Sequence, residues 1–340
     1  MKKLKSIFDY SVKNQSGYRL PTDFLPQVTL EDIEQLGVLN IRRPGLPEVT
    51  EEDIANHYGT EKSAAGLSIG EELANLPEFT GMHAYQNDAD MQGTLQILFE
   101  LERYLAELLG FKYFSFQPCL SHHDISLALL IVKAYHHTRG RTDKKVILVP
   151  DSASTDHEEA IASFGFEIRR VAMKKGLLDV LAFRTAITED VAGAALPTPY
   201  LVRLRASEVK QLRDWLRDHD GLMIWNGDQA HSILGYLKPG ETGFDIGCLN
   251  LEKTFNAGEM TVVGVAETLK PYLPSPHIEF ANGTYKTVSG SPLSAAKLPV
   301  ISGNVSPLIR TYATIRLLGL RGLREIAEST LISSAASPLS

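Results

Sequence analysis

The chain of 340 residues is long enough for one large α/β domain with extensions, or for two modest domains. Hydrophobic residues make up 44% and charged residues 22%, which supplies a core and excludes a disordered tail. The net charge of -7 comes from 34 basic and 41 acidic residues mixed along the chain, without the clustered basic face that a nucleic acid or a membrane surface demands. The two cysteines, Cys119 and Cys248, form no CxxC pair. A disulfide scaffold and a structural zinc site are thereby excluded, and a reducing cytoplasm is the expected compartment. The opening MKKLKSIFDYSVKN is interrupted by Asp9 and Lys13 before any signal-peptide core can form. No apolar run reaches the roughly 18 residues that cross a bilayer.

The first 75 residues hold short helical starts between proline-rich stretches such as Leu20-Pro21, Leu25-Pro26 and Arg43-Pro44-Gly45-Leu46-Pro47. Thr29 with Asp32, and Thr50 with Asp53, read as helix caps. This composition predicts an arm over residues 1–75 that wraps a larger body or a second subunit. A regular pattern follows. Leu95, Leu98, Leu101, Leu105 and Leu108 predict a helix ending at Gly110, and Tyr113 to Phe116 a buried strand. Ser121 to Tyr135 reads as a very apolar helix, Lys145 to Val149 and Phe166 to Met173 as strands, and Val191 to Leu196 as a small-residue strand. Ser207 to His219 is an amphipathic helix. Leu222 to Trp225, Asp245 to Leu249 and Thr261 to Ala266 are further strands. Ser306 caps a last helix, with Pro307 in its first turn, that runs to about Glu328 and leaves a loosely held tail.

Strands alternating with helices imply a three-layer α/β/α body with a mainly parallel sheet. Ligands of such sheets bind where the loops gather at the carboxyl ends of the strands. Five loops there carry unusual residues: Gln117 to Asp124, Pro150 to His157, Leu196 to Tyr200, Trp225 to His231 and Leu249 to Phe255. In the first loop, free amides beside Ser121 can hold a phosphate, although a capping serine is the commoner reading. In the fifth, Lys253 after a buried strand is more often a snorkelling surface residue than a catalyst. Its company in the other loops raises it.

The runs SGYRLP, LPEVTEEDIANHY, LANLPEFTGMHAYQ, QGTLQILFELERYLAELLGF, PDSA, GFDIGCLNLEKTF and RTYATIRLLGLRGLREI cover most of residues 6 to 330. In that order they resemble the carboxyl-terminal half, subunit 2, of glycine dehydrogenase (decarboxylating), the P-protein of the glycine cleavage system. The resemblance implies the large domain of a fold type I pyridoxal-phosphate enzyme, as in aspartate aminotransferase, over residues 76–300. Residues 301–340 are then a terminal helix left from a small domain. It implies pyridoxal phosphate as cofactor and glycine or a related amino acid as substrate. Lys253 in LNLEKTF would be the Schiff-base lysine and His123 the ring-stacking catalytic histidine. Cys119, Leu120 and Ser121 would hold the phosphate, with Thr198 and Asn226 completing the cofactor set. It implies a homodimer, or pairing with a subunit-1-like chain, with a lipoyl carrier protein as a further partner.

The chain departs from the family pattern around this site. The aspartate under the pyridine nitrogen falls at Asn226, whose amide cannot balance a pyridinium charge. Glu252 and Ser154 stand where the family has histidines, and Thr198 where it has asparagine. The glycine-rich loop after the lysine shortens to Asn256-Ala257-Gly258-Glu259, and a segment between His57-Tyr58 and Leu73-Ala74 is largely missing. His122, Asp124, His157, Asp228, His231 and Glu252 bring charge to the same loops. Two further readings follow. One is a non-catalytic subunit that pairs with a P-protein-like chain. The other is a reused fold in which His122, His157, Asp228 and His231 make a metal or acid–base centre, although no spacing here is a tight metal motif.

Overall fold

The computed structural model describes residues 69–83, 85–117, 125–174, 176–198, 204–297 and 304–336. The arm expected over 1–75 therefore lies outside the described residues, except for its last turn. Helix α1 (Ile69–Ala74) supplies that turn, and Leu73 and Ala74 are buried. Helix α2 (Gln92–Leu109) buries the leucine stripe read from its spacing and stops at Gly110. The Gly110 N–H still donates to the Ala106 carbonyl, and the left-handed φ of 76° there turns the chain out of the helix.

Strand β1 (Tyr113–Ser115), helix α3 (Ser126–Thr138), strand β2 (Val146–Pro150), helix α4 (Thr155–Ser163) and strand β3 (Glu167–Val171) follow. Next come the short strands β4 (Met173–Lys174) and β5 (Leu177–Leu178), helix α5 (Val180–Ala186), strand β6 (Val191–Pro197) and helix α6 (Ala206–Asp218). Strand β7 (Leu222–Asn226), strand β8 (Ile246–Asn250), helix α7 (Leu251–Phe255) and strand β9 (Thr261–Val265) complete the body. Strands β10 (His277–Ala281) and β11 (Thr284–Val288) form a hairpin, and helix α8 (Ser306–Ala336) closes the chain.

The main sheet has seven strands in the order β1-β9-β8-β7-β6-β2-β3. Pairs from β8 through β7, β6 and β2 to β3 are parallel, whereas β9 runs antiparallel to both β8 and β1. Side chains alternate between two cores. Met223 and Trp225 of β7 face the core that contains α2 and α8, and Leu222 and Ile224 face the core that contains α3 and α4. This alternation makes three layers, as the fold type I reading requires. Phe111 sets the spacing on one face, stacked on Trp225 with 6.3 Å between ring centroids. Its ring lies where Gly247 has no side chain, so an added Cβ there would stand 2.3 Å from Phe111 Cε2.

Helix α8 is fixed to α2 by a buried polar group. Tyr104 and Tyr312 stack at 5.7 Å, Arg316 donates to Tyr312 Oη at 3.0 Å, and Tyr312 donates to Glu100. The helix continues beyond the expected end at Glu328, and at Gly319 the backbone leaves helical geometry. Three further points depart from the sequence reading. The described part of α3 ends at Thr138 rather than Tyr135, because Tyr135 and His136 still face inward. The strand expected over Phe166 to Met173 leaves the sheet after Val171 and folds back as β4 and β5 about Gly176, whose φ is 73°. Helix α5 was not foreseen, although Asp179 caps it by accepting from the Leu181 and Ala182 amides at 2.9 and 3.1 Å.

Two outcomes test this packing. Gly247→Ala should cost about 1 to 3 kcal/mol in urea unfolding, since the ring it meets is fully enclosed. A midpoint equal to the parent's would show that Phe111 can move aside. Glu102 on α2 accepts the Phe114 N–H at 3.0 Å, and burial pushes its carboxyl from 4.5 up to about 7. A raised folded value stabilises below the unfolded value and is lost as pH rises through the folded one. Parent stability should therefore fall relative to Glu102→Gln between pH 4.5 and 7, by on the order of 2 to 3 kcal/mol. Parallel curves for the two proteins would contradict this.

Candidate active site

Strands β7 and β8 are parallel neighbours, with Asn226 paired in register to Cys248, so the loops that leave them emerge side by side. Gly227 ties them together. Its N–H donates to the Cys248 carbonyl at 2.8 Å, and an added Cβ would lie 2.5 Å from that oxygen. No other residue type lets the chain pass so close. On the other side, Pro197 of β6 pairs with Asn226, and the fully buried Thr198 donates from Oγ1 to the Asn226 carbonyl at 3.2 Å. The loop after β2 enters α4, which carries His157 on its first turn.

Lys253 stands on the first turn of α7. Asn250 caps that helix, its Oδ1 accepting the Lys253 N–H at 2.9 Å. The Lys253 side chain is 49% exposed, and its Nζ lies 3.0 Å from Asp228 Oδ1. Asn226 is buried, and both ends of its amide are engaged. Its Oδ1 accepts the Asp228 N–H at 3.2 Å, which places Nδ2 toward His157, 2.6 Å from Nε2. His157 Nε2 must accept that bond, so the neutral ring carries its proton on Nδ1, 3.0 Å from Ser154 Oγ. Asp228 Oδ2 is 3.6 Å from His157 Nε2 and 3.4 Å from Asn226 Nδ2. His231 is hydrogen-bonded to the backbone of Lys253, and burial pushes its imidazole below the ordinary range. Glu252 turns back to accept the Gly258 N–H at 2.6 Å.

The structure thus brings together Lys253, Asn226 and Thr198 of the expected cofactor set. Cys119, Leu120, Ser121, His122, His123 and Asp124 lie outside the described residues. Of the alternative centre, His157 and Asp228 meet at one point, and His231 is held against the backbone of Lys253. Among the described residues no three His, Cys, Asp or Glu side chains come together as a metal set. Sequence reasoning gave Asn250 and Gly227 no role. The capping pattern of Asn250 three residues before Lys253 was a readable signal, whereas the need for Gly227 depends on which strand lies beside β7.

The cofactor implied by the resemblance is pyridoxal phosphate, and the chemistry of the site tests the fit. An aldehyde needs an accessible primary amine, and Lys253 offers one at the strand ends with a carboxylate beside it. Asn226, the residue that the resemblance sets beneath the ring nitrogen, would offer it a neutral amide already donating to His157 and no negative charge. These residues would fit the cofactor with its pyridine ring neutral.

No family model matches the chain. It is 31% identical over 352 residues to a probable glycine dehydrogenase (decarboxylating) subunit 2 of Caldanaerobacter subterraneus subsp. tengcongensis, covering 96% of this chain and 73% of that relative. It is 32% identical over 355 residues to the protein of the same description from Pyrococcus abyssi, covering 96% and 70%. Among solved structures, the chain is similar to an inhibitor-bound glycine decarboxylase (P-protein) of the glycine cleavage system. The TM-score is 0.60 at 17% identity, covering 76% of this chain and 61% of that one. A sphingosine-1-phosphate lyase from Burkholderia pseudomallei gives 0.54 at 14% identity, covering 78% and 64%. The two structural likenesses show the fold.

The held imidazole yields a direct test. The folded value of His231 is depressed, so its stabilising contribution is present above the ordinary 6.5 and is lost as pH falls. Its NMR titration should have a midpoint below 6.5, on a resonance removed by His231→Gln. A midpoint above 6.5 would contradict the burial that places it under α7.

Proposed function

This chain belongs to the glycine dehydrogenase (decarboxylating) subunit 2 family, and we propose that it takes pyridoxal phosphate on Lys253 and removes the carboxyl group of glycine or a related amino acid. The observation that carries the reading is the Lys253 amine, half exposed at the edge where β6, β7 and β8 end and paired with Asp228 at 3.0 Å. When bound, the cofactor supplies an electron-withdrawing ring that takes up the pair left on the α-carbon as carbon dioxide departs. The chain's own residues do the rest. Lys253 provides the amine of attachment, and Asp228 holds its proton. Cys119, Leu120, Ser121, His123 and Thr198 would hold the phosphate and ring. Asn226 offers no negative charge to the ring nitrogen, so the reaction runs more slowly than with a carboxylate there.

The partner in this reading is a subunit-1-like chain, since the relatives are described as subunit 2; a second copy is the other arrangement of the same kind. A lipoyl carrier protein would receive the remaining one-carbon unit, and the compartment is the cytoplasm. Among the described residues no helix is long and apolar enough to cross a membrane. One observation favours a second reading, that of a pairing subunit without its own chemistry: both ends of the Asn226 amide are used inside the protein.

Adding pyridoxal phosphate to the purified chain should produce the absorbance band of an imine, abolished in Lys253→Ala. Glycine decarboxylation should be weak and should rise on the order of tenfold in Asn226→Asp, about 1.4 kcal/mol off the barrier. No band in the parent, with no activity in Asn226→Asp, would remove the catalytic reading and leave the pairing one.

A further inference from the structure

The loop that carries Lys253 is closed by a side chain. Strands β8 and β9 pair antiparallel as far as Asn250 and Thr261, and a last rung follows in which the Leu251 N–H donates to the Met260 carbonyl at 2.8 Å. Beyond that rung the chain parts into α7 and the turn 256–259. Glu252 bridges the gap. Its carbonyl accepts the Asn256 N–H at 2.9 Å, and its carboxylate accepts the Gly258 N–H at 2.6 Å. A carboxylate that takes a backbone amide at this distance makes one of the stronger hydrogen bonds open to a side chain. The turn is shaped for the bond. Asn256 and Gly258 have φ of 51° and 106°, and a Cβ at 258 would stand 3.3 Å from Pro307 Cγ. Leu251, Thr254, Phe255 and Ala257 anchor the loop in the core, and Glu252 ties its two halves to each other.

We propose that Glu252 is a positioning residue for Lys253: by clipping the turn to α7 it holds the helix that presents the amine beside Asp228. The proposal rests on the reading of Lys253 as the amine of attachment and adds the side chain that keeps it in place. Lys253 is the next residue, on a helix of five, with its N–H on Asn250 at 2.9 Å and its Nζ on Asp228 at 3.0 Å. A helix this short does not hold itself together in water, so the contacts at its two ends decide where Nζ stands. Asn250 holds the first end and Glu252 the last. Two departures from the family pattern, Glu252 and the short turn, become one arrangement, because the short turn brings Gly258 within reach of the residue before the lysine. The same bond takes Glu252 out of the acid–base set, since its carboxylate is engaged by a backbone amide. What the clip requires is the length of the side chain and an acceptor oxygen, not a charge.

Substitutions at 252 separate length from charge. Glu252→Gln keeps the reach and an acceptor oxygen, whereas Glu252→Asp keeps the charge and falls roughly 1.5 Å short, one carbon–carbon bond. Pyridoxal phosphate incubated with the full chain, trapped with borohydride and mapped by peptide mass spectrometry, reads Lys253 against the exposed Lys210. Hydrogen exchange of the peptide spanning 251–260 reads the clip without cofactor. Glu252→Gln should match the parent in both. Glu252→Asp and Glu252→Ala should lower trapping at Lys253 relative to Lys210 roughly tenfold and speed exchange of the peptide by a similar factor, as the loss of one charge-assisted hydrogen bond implies. If Glu252→Ala does not fold by circular dichroism, the Gln and Asp variants carry the test. Parental behaviour in Glu252→Asp with impairment in Glu252→Gln would make charge the determinant and overturn the proposal, as would four proteins that behave alike. Faster exchange with trapping at Lys253 unchanged would overturn the positioning role. If Lys253 is not trapped in the parent while the exchange order holds, the cofactor reading fails and the clip stands.

Discussion

The hydrogen bond from the Gly227 N–H to the Cys248 carbonyl carries the loop after β7 across the end of β8, and the arrangement of the site depends on it. That contact fixes where Asp228 stands relative to α7, whose first turn begins at the end of the same β8. A side chain at 227 would strike the carbonyl and push Asp228 away from Lys253. The deeper packing serves the same end. Phe111 fills the space over Gly247 and stacks on Trp225, which locks β7 and β8 at the spacing that the loop contact requires.

With the loops fixed, a few polar groups compete for few partners. Asn226 spends one end of its amide on the Asp228 backbone and the other on His157. In doing so it sets the tautomer of His157 and cannot act as a counter-charge for a ring nitrogen. Asp228, two residues on, carries the negative charge instead and directs it to Lys253. In the cofactor reading proposed above, the negative charge stands beside the amine and not beneath the ring nitrogen.

Much of this was legible in the sequence. The leucine spacing of α2, the apolar run of β7 and the strand–helix alternation rest on local patterns that tertiary structure reinforced. The β10–β11 hairpin has an equally local signal. Asn282-Gly283 between alternating strands is a strong turn signal, and both residues have positive φ, 54° and 77°. The antiparallel insertion of β9 between β1 and β8 left no local trace, because strand order is decided by which faces must be covered. The meeting of His157 with Asn226 was likewise hidden. They are 69 residues apart, one at the end of β7 and the other on the helix that follows β2, with β6 between the two strands. The family resemblance placed Asn226 and Lys253 in one site, but it could not show that the histidine and carboxylate added there would come within 3.6 Å of each other.

The central claim is that Lys253 is the amine on which the cofactor is carried. Reducing the protein with borohydride after incubation with pyridoxal phosphate, then mapping the peptides by mass spectrometry, tests it most directly. The account predicts one stoichiometric pyridoxyl modification, on the peptide containing Leu251-Glu252-Lys253-Thr254-Phe255. Modification spread over exposed lysines such as Lys210 and Lys286, with Lys253 unmodified, would contradict it.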